Sequence, residues 1–159
     1  LNYPDAHFDM VRCGIGLYGY GNTDKETKNF RPIASLKSVI SQIHLVAKGN
    51  SVGYNRAFVS PEDSKIATIP IGHADGIGRH FGNGAGFVSM GSKKAPIVGN
   101  VCMDMIMVDV TAIECAEGDE VVLFGPEFSA EISAAAANTI SYELITGISQ
   151  RVKRSILNT

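Results

Sequence analysis

The run LKSVISQIHLV at residues 36–46 is rich in Val and Ile and partly alternates apolar with polar side chains, so it reads as a strand. Outward from it the same texture recurs. VGYNRAFV at 52–59 and KIATIPIG at 65–72 read as two further strands. Residues 86–90 and 94–99 flank Gly91-Ser92-Lys93 and predict a hairpin. In MDMIMVDVT at 103–111, Asp104, Ile106, Val108 and Val110 alternate with Met105, Met107 and Asp109. That alternation does not part apolar from polar residues, so the strand is expected to be covered on both faces for part of its length. DEVVLFG at 119–125 is the last strand of the series. The 17 glycines among 159 residues exceed the usual share of roughly 7% and punctuate these β-branched runs, as in an all-β domain.

The texture changes at Ser129. SAEISAAAANTISYELITGIS at 129–149 is Ala-rich with helix formers at helical spacing and predicts two short helices. Ser129 is the expected N-cap of the first, Asn138 or Thr139 of the second, and Gly147 marks the second helix's end. RVKRSIL at 151–157 reads as a terminal strand. The polar stretch 19–30, with Pro32 behind it, reads as a linker. Before it, the apolar run within 1–18 reads as a strand ending in a Gly-rich turn, where Gly14 and Gly16 could turn backbone amides toward an anion.

Composition excludes several classes. Hydrophobic residues make up 45% and charged residues 19%, unlike a disordered chain. A net charge of −2 leaves no basic excess for a nucleic-acid backbone. No run of 18 apolar residues predicts a membrane span. Cys13, Cys102 and Cys115 are odd in number with no CxxC pair, which speaks against a disulfide scaffold or structural zinc and fits a reducing, cytoplasmic setting. His7, His44, His73 and His80 show no metal-ligand spacing, and no metal is expected. The chain starts at Leu1 without a signal-peptide pattern and reads as a piece of a longer protein.

Five segments in order carry a resemblance. VRCGIGLYG (11–19), SVGYNRAF (51–58), IPIGHADGIGR (69–79), GNVCMDMIMVDV (99–110) and NTISYELITGISQRVKR (138–154) together resemble the C-terminal part of the alanine racemase family. The resemblance implies a mainly β fold: a C-terminal β-barrel or β-sandwich-like domain with two short helices near its C-terminus. It implies that residues 1–22 are the last strand and exit of an N-terminal (β/α)8 barrel, and that 23–159 form the β domain. It further implies a pyridoxal 5'-phosphate enzyme interconverting L-alanine and D-alanine for peptidoglycan precursors, in the cytoplasm. The family works as a homodimer whose active sites are completed by the partner's C-terminal domain. The lysine that forms the Schiff base with the cofactor belongs to the barrel, and nothing like its motif occurs in this chain. The chain alone is therefore expected to be inactive.

By the same resemblance, Tyr54 is the second acid–base group, facing the barrel lysine across the substrate's Cα. Racemisation takes a proton from one face and returns one to the other, so it needs a group on each side. Arg12 matches the arginine at the cofactor's pyridine nitrogen; being permanently cationic, it disfavours protonation there and weakens the ring as an electron sink. Gly14 and Ile15 match positions whose backbone amides hold the cofactor phosphate, and Tyr142 matches a tyrosine whose hydroxyl reaches it. Met103 matches a residue whose amide holds the substrate carboxylate, and Asp104 a position at the site entrance. By residue type alone, Tyr54 reads as a half-buried strand aromatic, Tyr142 as a packed helix aromatic and Met103 as core filler. His73 stands where the family commonly has Tyr in the entrance corridor, although a packing role is the preferred reading for it. Asp75 and Arg79 are expected to fix the turn after their strand, and Cys102 to be a small apolar residue. Two other readings compete: a pyridoxal-phosphate amino-acid decarboxylase of similar architecture, and a non-catalytic β domain for dimerisation or binding. On the racemase reading, the parent could also be a fusion of a cell-wall ligase with the racemase.

Overall fold

A computed structural model describes residues 3–157. Two compact units divide between Ala34 and Ser35.

The first unit contains 3-10 turns at Pro4–Ala6 and Ile15–Tyr18 and one helical turn, α1 (Asp24–Thr27). Among its described residues there is no strand, so the expected strand before the Gly-rich turn is not formed; Leu1 and Asn2 lie outside the described residues. A strand needs a neighbour for its amides and carbonyls, and this unit offers none. The polar stretch expected to be a linker holds α1. Thr23 Oγ1 accepts from the Glu26 amide at 3.3 Å, and the Glu26 carboxylate accepts from the Asn22 amide at 2.9 Å. A Thr followed three residues later by Glu is an N-terminal helix signature.

The second unit is mainly β. Its strands are β1 (Leu36–Val39), β2 (Gln42–Val46), β3 (Ser51–Val52), β4 (Phe58–Val59), β5 (Ser64–Ile69), β6 (Phe87–Met90), β7 (Lys93–Val98), β8 (Ile106–Asp109) and β9 (Glu120–Phe124). Seven form one antiparallel sheet in the order β1-β9-β6-β7-β8-β5-β2, and β3 pairs with β4 alone. The single strand expected over 36–46 is broken at Ile40 and Ser41. Its first half pairs with β9 and its second with β5. The Ile40 amide donates to Asp119 O and the Ser41 amide to Thr68 O, so the chain crosses from one partner to the other without losing its backbone bonds. One bent run thus supplies both edge strands of the curled sheet.

β7 also changes partner midway. Lys93 to Pro96 face β6, whereas Ile97 and Val98 face β8. Pro96 has no amide to donate and sits at the changeover. Met90 opposite Lys93 makes the β6–β7 connection a two-residue turn, with Gly91 at φ +55° as such turns require. The core is aliphatic: Ile66, Ile69, Val88, Ile97, Ile106, Val108, Val110 and Val121 are fully buried. Each such side chain stabilises the fold by about 1.5–3 kcal/mol relative to exposure. On β8, consecutive Ile106, Met107 and Val108 are all buried, as expected of a strand covered on both faces.

Two helices follow, α2 (Ala130–Ala136) and α3 (Ser141–Gly147). Ser129 caps α2 through the Ile132 amide. The cap of α3 is Ile140, not Asn138 or Thr139, because the Thr139 hydroxyl is engaged with the Glu143 carboxylate. The expected terminal strand over 151–157 does not form. Arg154 instead donates to the carbonyls of Ile148, Ser149 and Val152, spending its guanidinium on the end of α3 and the turn after it. No helix among the described residues is long and apolar enough to cross a membrane.

Candidate functional site

Tyr54 does not lie on a strand. β3 stops at Val52, Gly53 takes φ +75°, and Tyr54–Arg56 form a 3-10 turn before β4 resumes. Asn55 and Arg56 hold φ of +60° and +51°, a backbone that side-chain-bearing residues adopt at a cost. The outcome is a tyrosine 63% exposed, thrust out of the sheet and not packed on it.

The 99–105 loop after β7 lies against this turn. Asn100 Nδ2 donates to Tyr54 O at 3.1 Å, and a Cβ on Gly99 would come within 3.2 Å of Val52 O. The loop carries Met103, also exposed at 54%, so neither Met103 nor Tyr54 is core filler. A second turn, residues 72–76, fixes the loop from another side. The His73 amide donates to Cys102 O at 2.9 Å and the Ala74 amide to Met103 O at 2.8 Å. Gly72 is needed there by contact: a Cβ would lie 2.6 Å from both Cys102 O and Met105 N.

Asp75 closes that turn. It is buried, accepts from the Gly72 amide at 2.8 Å, and receives Arg151 Nε at 2.6 Å. The other end of the Arg151 guanidinium reaches Asp104 at 2.7 Å. The Asp75 hydrogen bonds, then those of Asp104, hold Arg151 more firmly in its charged form. Asp75 thus fixes its turn as expected. Arg151, which sequence reading placed on a strand, ties the C-terminal segment to the loop of Met103 and Asp104. Its link to Asp75 spans 76 residues, a separation that no local motif reveals.

Cys102 packs against the cluster of Ile66, Val98 and Met107. Burial pushes its thiol pKa up, partly offset by the Tyr54 backbone and the charge of Arg79, so it is a poor thiolate nucleophile. Tyr142 is on α3, 44% exposed, which is more open than a packed helix aromatic. The structure therefore joins Tyr54, Met103 and Asp104 around one loop, with Tyr142 on a separate element of the same unit. Two surface clefts, one beside the β6–β7 turn and one beside the α2–α3 connection, are lined by none of these residues.

In the first unit, Arg12 is exposed and Gly14 precedes the Ile15–Tyr18 turn. A Cβ at Gly14 would meet nothing within 4 Å. The leading amides of such a turn have no acceptor within it.

The family description "Alanine racemase, C-terminal domain" matches residues 33–156. The alanine racemase of Thermodesulfovibrio yellowstonii is 40% identical, covering 99% of this chain and 43% of its own length. Alanine racemase 2 of Caldanaerobacter subterraneus subsp. tengcongensis is 45% identical, covering 97% of this chain and 41% of its own. Among solved structures, the racemase of a D-cycloserine-producing Streptomyces lavendulae superposes with a TM-score of 0.87 at 34% identity, over 99% of this chain and 43% of that one. The Bartonella henselae racemase, solved with covalently bound pyridoxal phosphate, gives 0.83 at 36% over 92% and 41%. The chain spans about two fifths of the length of these relatives. Motif order, curled sheet, paired C-terminal helices and these likenesses agree: the chain belongs to the alanine racemase C-terminal domain family.

Proposed function

We propose that this chain is the C-terminal portion of an alanine racemase and supplies one side of its active site. The full protein would interconvert L- and D-alanine in the cytoplasm, for peptidoglycan precursors, as a homodimer. Residues 1–22 would be the exit of a preceding barrel and 23–159 the β domain, although the compact units divide later, at Ser35. The observation that carries the reading is the exposed Tyr54, held on a strained turn beside the loop of Met103 and Asp104.

The donor set fits pyridoxal phosphate. Open space beside Gly14 admits a close approach, and the amides that begin the Ile15–Tyr18 turn suit an anion. Gly14 and Ile15 would hold the phosphate through their main chain, joined by the Tyr142 hydroxyl, and Arg12 would stand at the pyridine nitrogen. The cofactor, when bound, supplies the electron sink that makes the α-proton of alanine removable. The protein's own work is then proton placement. The Tyr54 hydroxyl takes or returns the proton on one face of Cα, and the barrel lysine serves the other. The Met103 amide holds the substrate carboxylate. Asp104, its carboxylate committed to Arg151, lines the entrance. Without the barrel lysine, the chain alone would be inactive.

Tyr54→Phe in the full-length parent tests this. Racemisation is expected to slow about 10²–10⁴-fold with cofactor still bound. One enantiomer should continue to exchange its α-hydrogen with deuterated solvent through the remaining base. Near-normal racemisation would make Tyr54 structural.

A further inference from the structure

The Tyr54 turn is poorly supported by its own hairpin. β3 and β4 contribute two residues each, paired only as Ser51 with Val59 and Val52 with Phe58. Three of the four residues 53–56 have positive φ, and two of them carry a Cβ. The internal bonds of the turn are long: the Arg56 amide to Gly53 O and the Ala57 amide to Tyr54 O are both 3.3 Å. Something outside must hold this geometry. Arg56 Nε reaches Ser51 Oγ at 3.0 Å, but Ser51 belongs to the same short hairpin.

Val52 and Phe58 pack against Ile66, Val98 and Met107, and the Tyr54 backbone meets the Cys102 thiol, but the side-chain amide that takes the Tyr54 carbonyl is that of Asn100. It stands just beyond β7, and its Nδ2 donates to Tyr54 O. Its own orientation is set on the far side, where Asn83 Nδ2 donates to Asn100 Oδ1 at 3.4 Å. The Asn83 amide donates to Gly99 O at 2.7 Å, anchoring that strand end. A carbonyl acceptor on one side and an amide donor on the other leave only one way round for the Asn100 amide. We propose that Asn100 is a positioning residue for Tyr54: its side-chain amide fastens the strained turn so that the phenol projects toward the reacting carbon. This rests on the reading of Tyr54 as an acid–base group.

The test uses the full-length holoenzyme. Asn100→Ala is expected to lower kcat about tenfold, between the loss of one hydrogen bond and the ~10²-fold cost of an ångström's misplacement. KM for alanine should stay within about twofold, since substrate binding is not removed. Asn100→Asp keeps the size but loses the donor, and should show the same defect. Hydrogen exchange of the peptide spanning 51–58 should rise in both variants without a comparable rise elsewhere. In a Tyr54→Phe background, Asn100→Ala should cost nothing more. An equal additional loss there, full kcat in Asn100→Asp, or unchanged exchange over 51–58 would overturn the proposal. If Tyr54→Phe itself racemised alanine normally, the acid–base reading would fail, while the exchange measurement would still report whether Asn100 fastens the turn.

Discussion

Asp75 and Asp104 share one guanidinium but occupy different environments. The Asp75 side chain is 9% exposed and the Asp104 side chain 61%. Removing Asp75 leaves the Gly72 amide without its acceptor in a buried turn, and uncompensated buried groups cost about 1–3 kcal/mol. Removing Asp104 breaks only a solvent-screened bridge, worth about 0–1 kcal/mol. Urea unfolding of the two alanine variants should show that order, and equal losses would mean that the exposed bridge to the loop contributes as much as the buried turn contacts. The asymmetry also separates roles. Asp75 builds the turn, whereas Asp104 lets Arg151 restrain the loop that presents Met103.

Elements show where chemistry is carried by close backbone contact. Gly72 has an extended φ of −153°, so its need for glycine is one of space. Its missing Cβ would meet three backbone atoms of the 102–105 loop within 2.7 Å. Gly72→Ala should therefore destabilise by about 1–3 kcal/mol, as overpacking does, and raise KM for alanine by displacing Met103. Gly91 is the converse. Its left-handed φ faces open space, and Gly91→Asn should change stability by less than about 1 kcal/mol, since Asn tolerates that backbone. A Gly72→Ala protein as stable and as tightly binding as its parent would show that the loop can yield. The strand pattern was largely legible, because apolar runs and glycine punctuation are local. The break at Ile40 and Ser41 was not, because only the identity of the partners, β9 before and β5 after, demands it. The run 52–59 has strand formers at its ends, but Gly53 and Asn55 between them favour a turn, and the Asn100 side chain meets that turn from outside the run. The terminal run 151–157 has strand composition but no partner, and its arginines are consumed by Asp75, Asp104 and the carbonyls after α3. Tyr54, Met103 and Asp104 are singled out by motif order, whereas the hydrogen bond from Asn100 to Tyr54 O joins two loops 46 residues apart and no local pattern reveals it.

At the scale of the molecule, the chain matches about two fifths of the length of its relatives, and on the proposed reading it would carry one of the two proton-transfer groups that a racemase needs. The central claim is that Tyr54 acts opposite a lysine of another subunit's barrel. Two full-length variants, Tyr54→Phe and a replacement of the cofactor lysine, would each be inactive alone. When they are mixed and subunits exchange, a heterodimer has one site lacking both groups and one site intact. Random exchange between two-fold dimers should restore activity to about one quarter of the parent, since half the dimers are mixed and half their sites are whole. Recovery near that level would establish the shared site. No recovery, with heterodimers verified by mass spectrometry, would contradict it.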